Sequence, residues 1–286
     1  MRGLSLSGGG IKAATHIGAL KAFEEEKIKF DCVSGASSGS IIATMYALGY
    51  NSDEMWKLFK KYYKKIKYVE WKQVIKMILG LISTRRLVID GLNSGKVIEK
   101  IINEICKKSH VENINEIKMP LMISMVDLQK GTVYIASSQE KRKVLQDNTK
   151  YISDIPIATA VRASCSFPVV FSPCKFDGIQ LIDGGTRENL PWKGLKEYGA
   201  DEVYGIAFDT ILEKNQCCKN MIEVAARAME LQGRELANYE KEGIDHLITI
   251  CLKKVALLDS SQIDVLYQMG YEETKKQLNL LKKSIK

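Results

Sequence analysis

The chain has 286 residues, of which 45% are hydrophobic and 27% charged, and it carries a formal net charge of +8 at pH 7. This size and composition fit one large soluble domain or two small ones. The longest uninterrupted apolar run, residues 77–82, is far too short to cross a bilayer, which excludes a membrane-spanning helix. Strand-like and helix-like segments alternate without repeats, low-complexity tracts or linkers, so we expect a single α/β domain over residues 1–286.

Two features predict where the protein is found. The chain begins directly with a strand-like segment and lacks the apolar core of a signal peptide, so we expect a cytoplasmic protein. Seven cysteines without Cys-x-x-Cys spacing favour buried thiols in a reducing compartment, and they argue against a disulfide framework or a zinc site.

The first predicted strand, residues 3–7, ends in Gly8, Gly9 and Gly10, and a helix is predicted from residue 11 to about residue 26. A strand, a glycine-rich turn and a helix in this order present unpaired amides at the positive end of a helix dipole. Such a site suits either a phosphate or the oxyanion of a tetrahedral acyl intermediate.

A dinucleotide site is the weaker interpretation of this turn. The spacing Gly8-x-Gly10-x-x-Ala13 matches the fingerprint, but that fold requires an acid near the end of the second strand, and Asp31 precedes the strand. Lys12, one turn into the helix, either holds the loop, binds an anionic head group or is a solvated lysine.

The second predicted strand leads through Gly35-Ala36-Ser37-Ser38-Gly39 into a helix over residues 41–48. Gly-x-Ser-x-Gly at such a junction is typical of a nucleophile elbow, in which Gly35 and Gly39 leave room for a sharp turn and the hydroxyl of Ser37 is exposed. A Ser/Gly loop that merely caps the helix gives the same pattern, so both interpretations stay open at this point.

Residues 54–86 hold the basic excess of the chain. Ten Lys/Arg stand there against Glu54 and Glu70, and they are interleaved with Trp56, Phe59, Tyr62, Tyr63, Tyr68 and Trp71. Basic and aromatic helices with an apolar side suit an anionic membrane surface. Nucleic acid is not expected, because no zinc module, helix-turn-helix or RNA-binding signature accompanies the patch. The alternative is a pair of ordinary helices with aromatic residues in the core and lysines in water.

The middle of the chain predicts further strands and a short helix. Residues 120–126 and 131–136 form a predicted hairpin, and a helix of small residues over 157–167 is halted by Pro168. The dipeptide Asp177-Gly178 predicts a two-residue hairpin turn, because both positions tolerate positive φ.

Asp183-Gly184-Gly185 follows the strand that this hairpin delivers. An acid followed by two glycines lets the carboxylate protrude into a cleft while the backbone turns away beneath it, as a general base requires. The same tripeptide is also a good turn sequence.

The C-terminal part of the chain is predicted to be scaffold. It contains a strand over residues 201–208, a helix over 221–240, a strand that His246 starts, and a last helix that begins at Ser260 or Ser261.

The histidines test whether a Ser-His-Asp triad is possible. The three candidates are His16, inside the first helix, His110, at a lysine-rich helix end, and His246. Only His246 follows Ser37 and Asp183 in the order of an α/β-hydrolase triad, but that role requires a loop position after a strand. The position of His246 at the start of a strand therefore argues against a triad.

Three ordered motifs resemble the patatin-like phospholipases. They are Ser7-Gly8-Gly9-Gly10-x-Lys12, Gly35-x-Ser37-x-Gly39 and Asp183-Gly184-Gly185. Further blocks of that family resemble residues 12–20, Ala163-Ser164 with Phe167-Pro168, and Asn189 with Pro191. The similarity therefore covers about residues 3–210. Ser38 stands where alanine is commoner. Residues 54–90 and 211–286 match less well, and substrate selection is expected there.

The resemblance implies a three-layer α/β/α fold around a mainly parallel sheet, and hydrolysis of acyl esters in phospholipids or related lipids without a metal or other cofactor. Ser37 is the implied nucleophile and Asp183 the proton acceptor. The amides of Gly8, Gly9, Gly10 and Ser38 form the expected oxyanion hole, and Lys12, Gly35, Gly39, Gly184 and Gly185 support the motifs.

Two alternatives to this function stay open, namely an esterase that uses His246 and a catalytically inactive lipid-binding scaffold. The expected partners are a lipid substrate and an anionic membrane surface that residues 54–86 contact. Residues 54–90 are a lid, a membrane-contact insertion or plain structure.

Overall fold

Strands and helices alternate through the residues that the computed structural model describes, namely 1–67, 69–86, 89–139, 148–210, 218, 221–252 and 262–284. The strands are β1 (Arg2–Leu6), β2 (Cys32–Ala36), β3 (Leu121–Asp127), β4 (Val133–Ser137), β5 (Thr149–Ile152), β6 (Cys174–Phe176), β7 (Ile179–Asp183), β8 (Glu202–Thr210) and β9 (His246–Leu252). The α-helices are α1 (Ala13–Glu25), α2 (Ser38–Ala47), α3 (Ser52–Tyr62), α4 (Trp71–Thr84), α5 (Lys96–Lys107), α6 (Ile157–Ser164), α7 (Trp192–Tyr198), α8 (Met221–Glu240) and α9 (Ile263–Ser284).

The strands form one sheet in the order β5-β4-β3-β2-β1-β8-β9, with β7 paired to β3 and β6 paired to β7. The central strands β3, β2, β1, β8 and β9 run parallel to one another, whereas β4 and β7 are antiparallel to β3. Parallel strands are covered on both faces, which explains why β3 is buried along its whole length and nearly continuously apolar. The predicted three-layer α/β/α architecture with a mainly parallel sheet is confirmed.

The sheet separates two apolar cores, because successive side chains of a strand point to opposite faces. One core joins Leu4 and Val33 to α1 and α9, and the other joins Cys32 and Met122 to Leu195 of α7.

The last helix belongs to the larger core, since α9 crosses α1 in direct backbone contact. A Cβ on Gly18 would lie 2.8 Å from the Tyr271 amide nitrogen, and a Cβ on Gly270 would lie 2.7 Å from the Thr15 backbone. No side chain fits between two backbones at that distance, so glycine is required at both positions.

Several local predictions are confirmed, and one lies outside the described residues. Asp177 and Gly178 have φ of 47° and 73° in the β6–β7 hairpin, as the turn chemistry requires. The helix predicted over residues 221–240 is α8. The start predicted at Ser260 or Ser261 for the last helix falls outside the described residues. Within the described residues, α9 begins at Ile263.

The two helices of the basic region differ in how they pack. In α3, Met55 is buried, and Trp56 lies against Tyr267 of α9 with ring centroids 4.5 Å apart. In α4, Trp71 is 79% and Ile82 is 76% exposed. The structure therefore assigns the ordinary packing to α3 and leaves the apolar side of α4 open. In the described part of the chain, no helix combines the length and hydropathy needed to cross a membrane.

Candidate active site

Ser37 occupies a strained turn between β2 and α2. Its φ of 49° and ψ of −128° lie in a region that side chains disfavour. A Cβ on Gly35 would lie 2.6 Å from the Gly39 carbonyl carbon, and a Cβ on Gly39 would lie 2.6 Å from the Ser7 carbonyl oxygen. Neither position has space for a side chain, which is what a sharp turn at Ser37 requires.

Strand β3 brings the two ends of the site together. Ala36, the last residue of β2, pairs with Ser124, and Asp183, the last residue of β7, pairs with the next residue, Met125. Because β2 runs parallel and β7 antiparallel to β3, the carboxyl ends of β2 and β7 meet head to head. Ser37 therefore lies beside Asp183 although 146 positions separate them in the sequence.

Ser37 Oγ donates a hydrogen bond to Asp183 Oδ2 over 2.6 Å. Asp183 is 2% exposed, and its Oδ1 accepts the Gly185 N–H at 2.8 Å. Burial raises the pKa of Asp183 to about 6, while the hydrogen bonds from Ser37 and Gly185 oppose the increase. Asp183 is thus ionised near neutral pH and more basic than an exposed aspartate.

Gly184 and Gly185, which follow Asp183, have no space for a side chain. A Cβ on Gly184 would lie 2.7 Å from the Ser124 carbonyl carbon, and a Cβ on Gly185 would lie 2.8 Å from Asn189 Oδ1. A larger residue at Gly184 would push the turn away from β3, and one at Gly185 would displace the side chain of Asn189 or Asp183.

The glycine-rich loop lies next to Ser37, but its amides are not equivalent. The Gly8 N–H is donated to Asn189 Oδ1 at 3.0 Å, and the Gly9 N–H to Ser38 Oγ at 3.2 Å. Ser38 is the first residue of α2, so its amide has no partner within the helix. The N–H groups of Gly8 and Gly9 are both engaged by side chains, Gly8 by a carboxamide at 3.0 Å and Gly9 by a hydroxyl at the longer distance of 3.2 Å. Gly8 is thus the less available donor of the two, and the role of Gly9, Gly10 and Ser38 as oxyanion donors stays a prediction.

Lys12 lies in the short 3₁₀ turn between the glycines and α1. Only 8% of it is exposed, so the interpretation as a solvated lysine is wrong. Its backbone N–H donates to the Gly9 carbonyl at 3.2 Å, and its own carbonyl accepts the Thr15 hydroxyl at 2.7 Å. Lys12 therefore helps to hold the loop. Among the described residues, no group of three His, Cys, Asp or Glu side chains is arranged to bind a metal.

His16, inside α1, packs within the core. It is fully buried, its Nε2 donates to the Ser7 carbonyl at 2.7 Å, and its ring packs on Phe208 with centroids 4.7 Å apart. Burial lowers the pKa of His16 to about 4, so the ring is neutral at physiological pH.

His246 lies far from Ser37. The registers of β9 on β8, β8 on β1 and β1 on β2 place His246 level with Val33, three strands away. Val33 precedes Ser37 by four residues, which corresponds to roughly 13 Å along the strand. The structure thus separates His246 from both members of the candidate dyad.

Three residues around the site had no role in the sequence-based prediction. Ser164 Oγ accepts the Ser37 N–H at 2.8 Å, which fixes the elbow backbone. Asn189 holds the glycine-rich loop, and Glu240 Oε1 accepts the Asn189 N–H at 2.6 Å. Ser164 and Asn189 fall in blocks that resemble the family, whereas no local pattern marks Glu240.

An α/β protein with a serine on a strained strand–helix turn, hydrogen-bonded to a buried carboxylate, has the architecture of the serine hydrolase class. The chain belongs to the patatin-like phospholipase family, whose model matches residues 4–196. The matched region contains the elbow, the glycine-rich loop and Asp183.

Relatives of this chain occur in bacteria and fungi. It is 29% identical over 208 residues to the uncharacterized protein YqhO of Bacillus subtilis, covering 67% of this chain and 66% of that protein. It is 25% identical over 204 residues to the lysophospholipase NTE1 of Candida albicans, covering 71% of this chain and 13% of the relative. The chain thus spans just under two thirds of the first relative and a small part of the second.

One solved structure supports the fold. The crystal structure of VipD from Legionella pneumophila superposes with a TM-score of 0.55 at 19% identity, covering 97% of this chain and 66% of that one. The similarity extends beyond the residues that the family model matches, and it includes the C-terminal part of the sheet.

Proposed function

We propose that the protein is a serine lipid acyl hydrolase in which Ser37 and Asp183 act as a catalytic dyad. The observation that carries this proposal is the 2.6 Å hydrogen bond from Ser37 Oγ to the buried Asp183 Oδ2. Membership of the patatin-like phospholipase family and the resemblance to a lysophospholipase support lipid esters as the substrate class.

The first half of the reaction forms an acyl-enzyme. Ser37 Oγ attacks the ester carbonyl while Asp183 takes the hydroxyl proton, and the carbonyl oxygen becomes an oxyanion. When the tetrahedral intermediate collapses, the C–O bond to the alcohol breaks, and the proton held by Asp183 passes to the leaving oxygen. The second half repeats these steps with water as the nucleophile, which releases the fatty acid and regenerates Ser37.

The oxyanion is stabilised by the amides of Gly9, Gly10 and Ser38. Ser38 begins α2, so the positive end of the helix dipole also faces the developing charge. Each preorganised donor of this kind lowers the barrier by on the order of 3 kcal/mol, and the glycine-rich loop therefore matters nearly as much as the dyad.

Hydrolysis of a soluble p-nitrophenyl acyl ester tests the dyad. Ser37→Ala and Asp183→Asn are expected to abolish turnover, because one removes the nucleophile and the other the base. Asp177→Asn is the matched control, since Asp177 is exposed in a hairpin turn that asparagine also tolerates. A fluorophosphonate that labels the wild type but not Ser37→Ala separates a hydrolase from an inactive lipid-binding scaffold. Wild-type turnover by Asp183→Asn contradicts the dyad.

We also propose that α4 contacts an anionic membrane surface. Its exposed apolar side chains include Trp71, Ile75, Ile78, Leu79 and Ile82. The exposed basic residues that precede, interrupt and follow α4 in the sequence match an anionic bilayer; they are Lys57, Lys60, Lys61, Lys64, Lys65, Lys67, Lys72, Lys76, Arg85 and Arg86. Apolar side chains that enter the interface among cations favour peripheral binding of this kind.

Vesicle sedimentation with phosphatidylglycerol and phosphatidylcholine vesicles tests this contact. Ile75→Ser combined with Ile82→Ser is expected to weaken binding to the anionic vesicles and to leave hydrolysis of the soluble ester intact. Neutralising Lys60, Lys61, Lys64 and Lys65 is expected to act in the same direction and to make the remaining binding less sensitive to salt. Val224→Ser is the control, because Val224 is an exposed apolar residue of α8. Unchanged binding by both sets of variants contradicts the membrane role.

A further inference from the structure

The loop that follows Asp183 is tied to the glycine-rich loop by the side chain of Asn189. Asn189 Oδ1 accepts the Gly8 N–H at 3.0 Å. Gly8 in turn packs so closely on the elbow that a Cβ there would lie 2.7 Å from Ser37 Cβ. The position of Asn189 therefore determines where the glycine-rich loop lies relative to the nucleophile.

The backbone of Asn189 is hydrogen-bonded to Glu240, the last residue of α8. Glu240 Oε1 accepts the backbone N–H of Asn189 at 2.6 Å. The Glu240 carbonyl oxygen accepts the indole N–H of Trp192 at 2.6 Å. Glu240 thus binds the loop at two positions, and one of the two bonds goes to the backbone of Asn189 itself.

Three of the described side chains of α8 are largely exposed, and a fourth makes only a long ion pair with the sheet. Val224, Leu231 and Tyr239 are about half exposed or more, and Arg234 reaches Asp209 of β8 only at 3.8 Å. Next to Glu240, a cavity of about 420 Å³ opens between the end of the helix and the loop. Among the described side chains of α8, the carboxyl group of Glu240 thus links the helix directly to the loop that carries Asn189.

We propose that Glu240 is a positioning residue for hydrolysis at Ser37. By holding Asn189, Glu240 fixes the glycine-rich loop that carries the oxyanion amides, and a displacement of α8 is transmitted to those amides. This inference rests on the proposed hydrolase function. Glu240 does not touch the reacting atoms and acts only through the loop.

The charge state of Glu240 affects how well it holds the loop. Burial raises the pKa of Glu240 to about 8; the Asn189 amide opposes this increase, and the charge of Glu188 adds to it. The ionisable groups that line the adjoining cavity are Arg187, Glu188, Lys193 and Tyr239. Glu240 Oε2 is buried without a hydrogen-bond partner in the described structure. It can therefore carry the proton of the neutral carboxyl group while Oε1 accepts the Asn189 N–H.

Ionisation works against this arrangement. The folded-state pKa of Glu240 lies above its ordinary value of 4.5, so the folded protein favours the protonated carboxyl group. The contribution of this group to the stability of the fold is present at low pH and is lost as the pH rises through about 8. Above that pH the buried carboxylate faces the charge of Glu188, which favours its release from the loop. The proposed hold on Asn189 therefore weakens in alkaline solution.

Steady-state hydrolysis of the soluble ester between pH 5 and pH 10 tests the proposal. Glu240→Ala is expected to lower kcat on the order of 100-fold with little change in KM, because displaced oxyanion amides affect the transition state and not ester binding. Glu240→Gln keeps a neutral acceptor and is expected to restore kcat at pH 7 and to lose the decline of the wild type above pH 8. Glu235→Gln, on the exposed side of α8, is the matched control and keeps the wild-type profile.

Two kinetic results would overturn the proposal. The first is a kcat of Glu240→Ala equal to that of the wild type. The second is a Glu240→Gln variant as slow as Glu240→Ala at pH 7, since an amide oxygen accepts the same backbone bond.

Hydrogen exchange at pH 7 separates failure of this inference from failure of the hydrolase function. Glu240→Ala is expected to accelerate amide exchange in peptides that cover residues 3–12 and 186–192, whereas Glu240→Gln and Glu235→Gln do not. If Glu240→Ala accelerates exchange in both peptides but the wild type hydrolyses no ester, the structural link holds and the hydrolase function fails. Unchanged exchange, or acceleration in residues 186–192 alone, shows that Glu240 does not control the glycine-rich loop.

Discussion

His246 Nε2 lies 2.7 Å from Glu202 Oε1, and the two residues begin β9 and β8, whereas Ser37 follows the end of β2. A histidine engaged there cannot take the proton of the nucleophile. We expect His246→Gln to keep the wild-type kcat/KM for a p-nitrophenyl ester, whereas loss of a general base lowers rates by about 10²–10⁴-fold. A loss of that size in His246→Gln, with Asp183→Asn still active, would support the Ser-His-Asp alternative.

The pH dependence of hydrolysis reports the base. Because burial raises the pKa of Asp183 to about 6 and the base must be ionised, kcat/KM is expected to rise with pH and to reach half its plateau near pH 6. An exposed aspartate would reach half of the plateau near its ordinary pKa of 3.8. Initial rates of the soluble ester between pH 4 and pH 8 distinguish the two, and a midpoint near pH 4 contradicts a buried base.

The same burial makes Asp183 a cost to folding at neutral pH. The pKa of Asp183 is raised from 3.8 to about 6 in the folded state, so the fold favours the protonated carboxyl group. Its contribution to folding stability is complete below pH 3.8 and is lost as the pH rises through 6. We therefore expect Asp183→Asn to raise the melting temperature at pH 7 by a few degrees and to lose that advantage near pH 4. Asp177→Asn is the control and leaves the melting temperature unchanged at both pH values. A lower melting temperature of Asp183→Asn at pH 7 contradicts the predicted sign.

Ser38 competes with the substrate for one oxyanion donor. Its Oγ accepts the Gly9 N–H at 3.2 Å, so this bond must break before the amide can bind the oxyanion. We expect Ser38→Ala to raise kcat on the soluble ester severalfold, because the Gly9 amide is then free in the ground state. A loss on the order of 10²-fold, which is typical of removing an oxyanion donor, would instead identify the Ser38 hydroxyl as a donor itself.

The local parts of the fold and of the site could be predicted because their causes are local. Glycine is required at Gly35 by the backbone of Gly39, four residues further on, and at Gly39 by the backbone at the end of the adjoining strand β1. Asp177-Gly178 specifies its turn by its own φ preferences. The basic region was only half predictable. Its aromatic residues in α3 pack against α9, and the contact of Trp56 with Tyr267 joins segments 211 positions apart, a distance that no periodicity encodes.

The long-range parts of the site have no local signal. Ser37 meets Asp183 because β2 and β7 end at adjacent residues of β3, and register of this kind cannot be seen in the spacing of the motifs. Their pairing was implied by the family resemblance. The Gly8 N–H is donated to Asn189, and this bond depends in turn on Glu240, a residue in a segment that the resemblance does not cover.

The backbone strain at Ser37 predicts an unusual order of stability for two inactive variants. Ser37→Ala and Ser37→Gly both lose the hydrogen bond to Asp183, and they differ only by a Cβ at φ 49°. A side chain in such a region costs about 1–3 kcal/mol, whereas the extra freedom of an unfolded glycine costs about 0.4–1 kcal/mol. Ser37→Gly is therefore expected to be the more stable by about 1 kcal/mol in urea unfolding. The same pair at the exposed Ser83 of α4 should show the reverse order, because helical φ removes the penalty on alanine. Equal or higher stability of Ser37→Ala would mean that the elbow relaxes once its hydroxyl is removed.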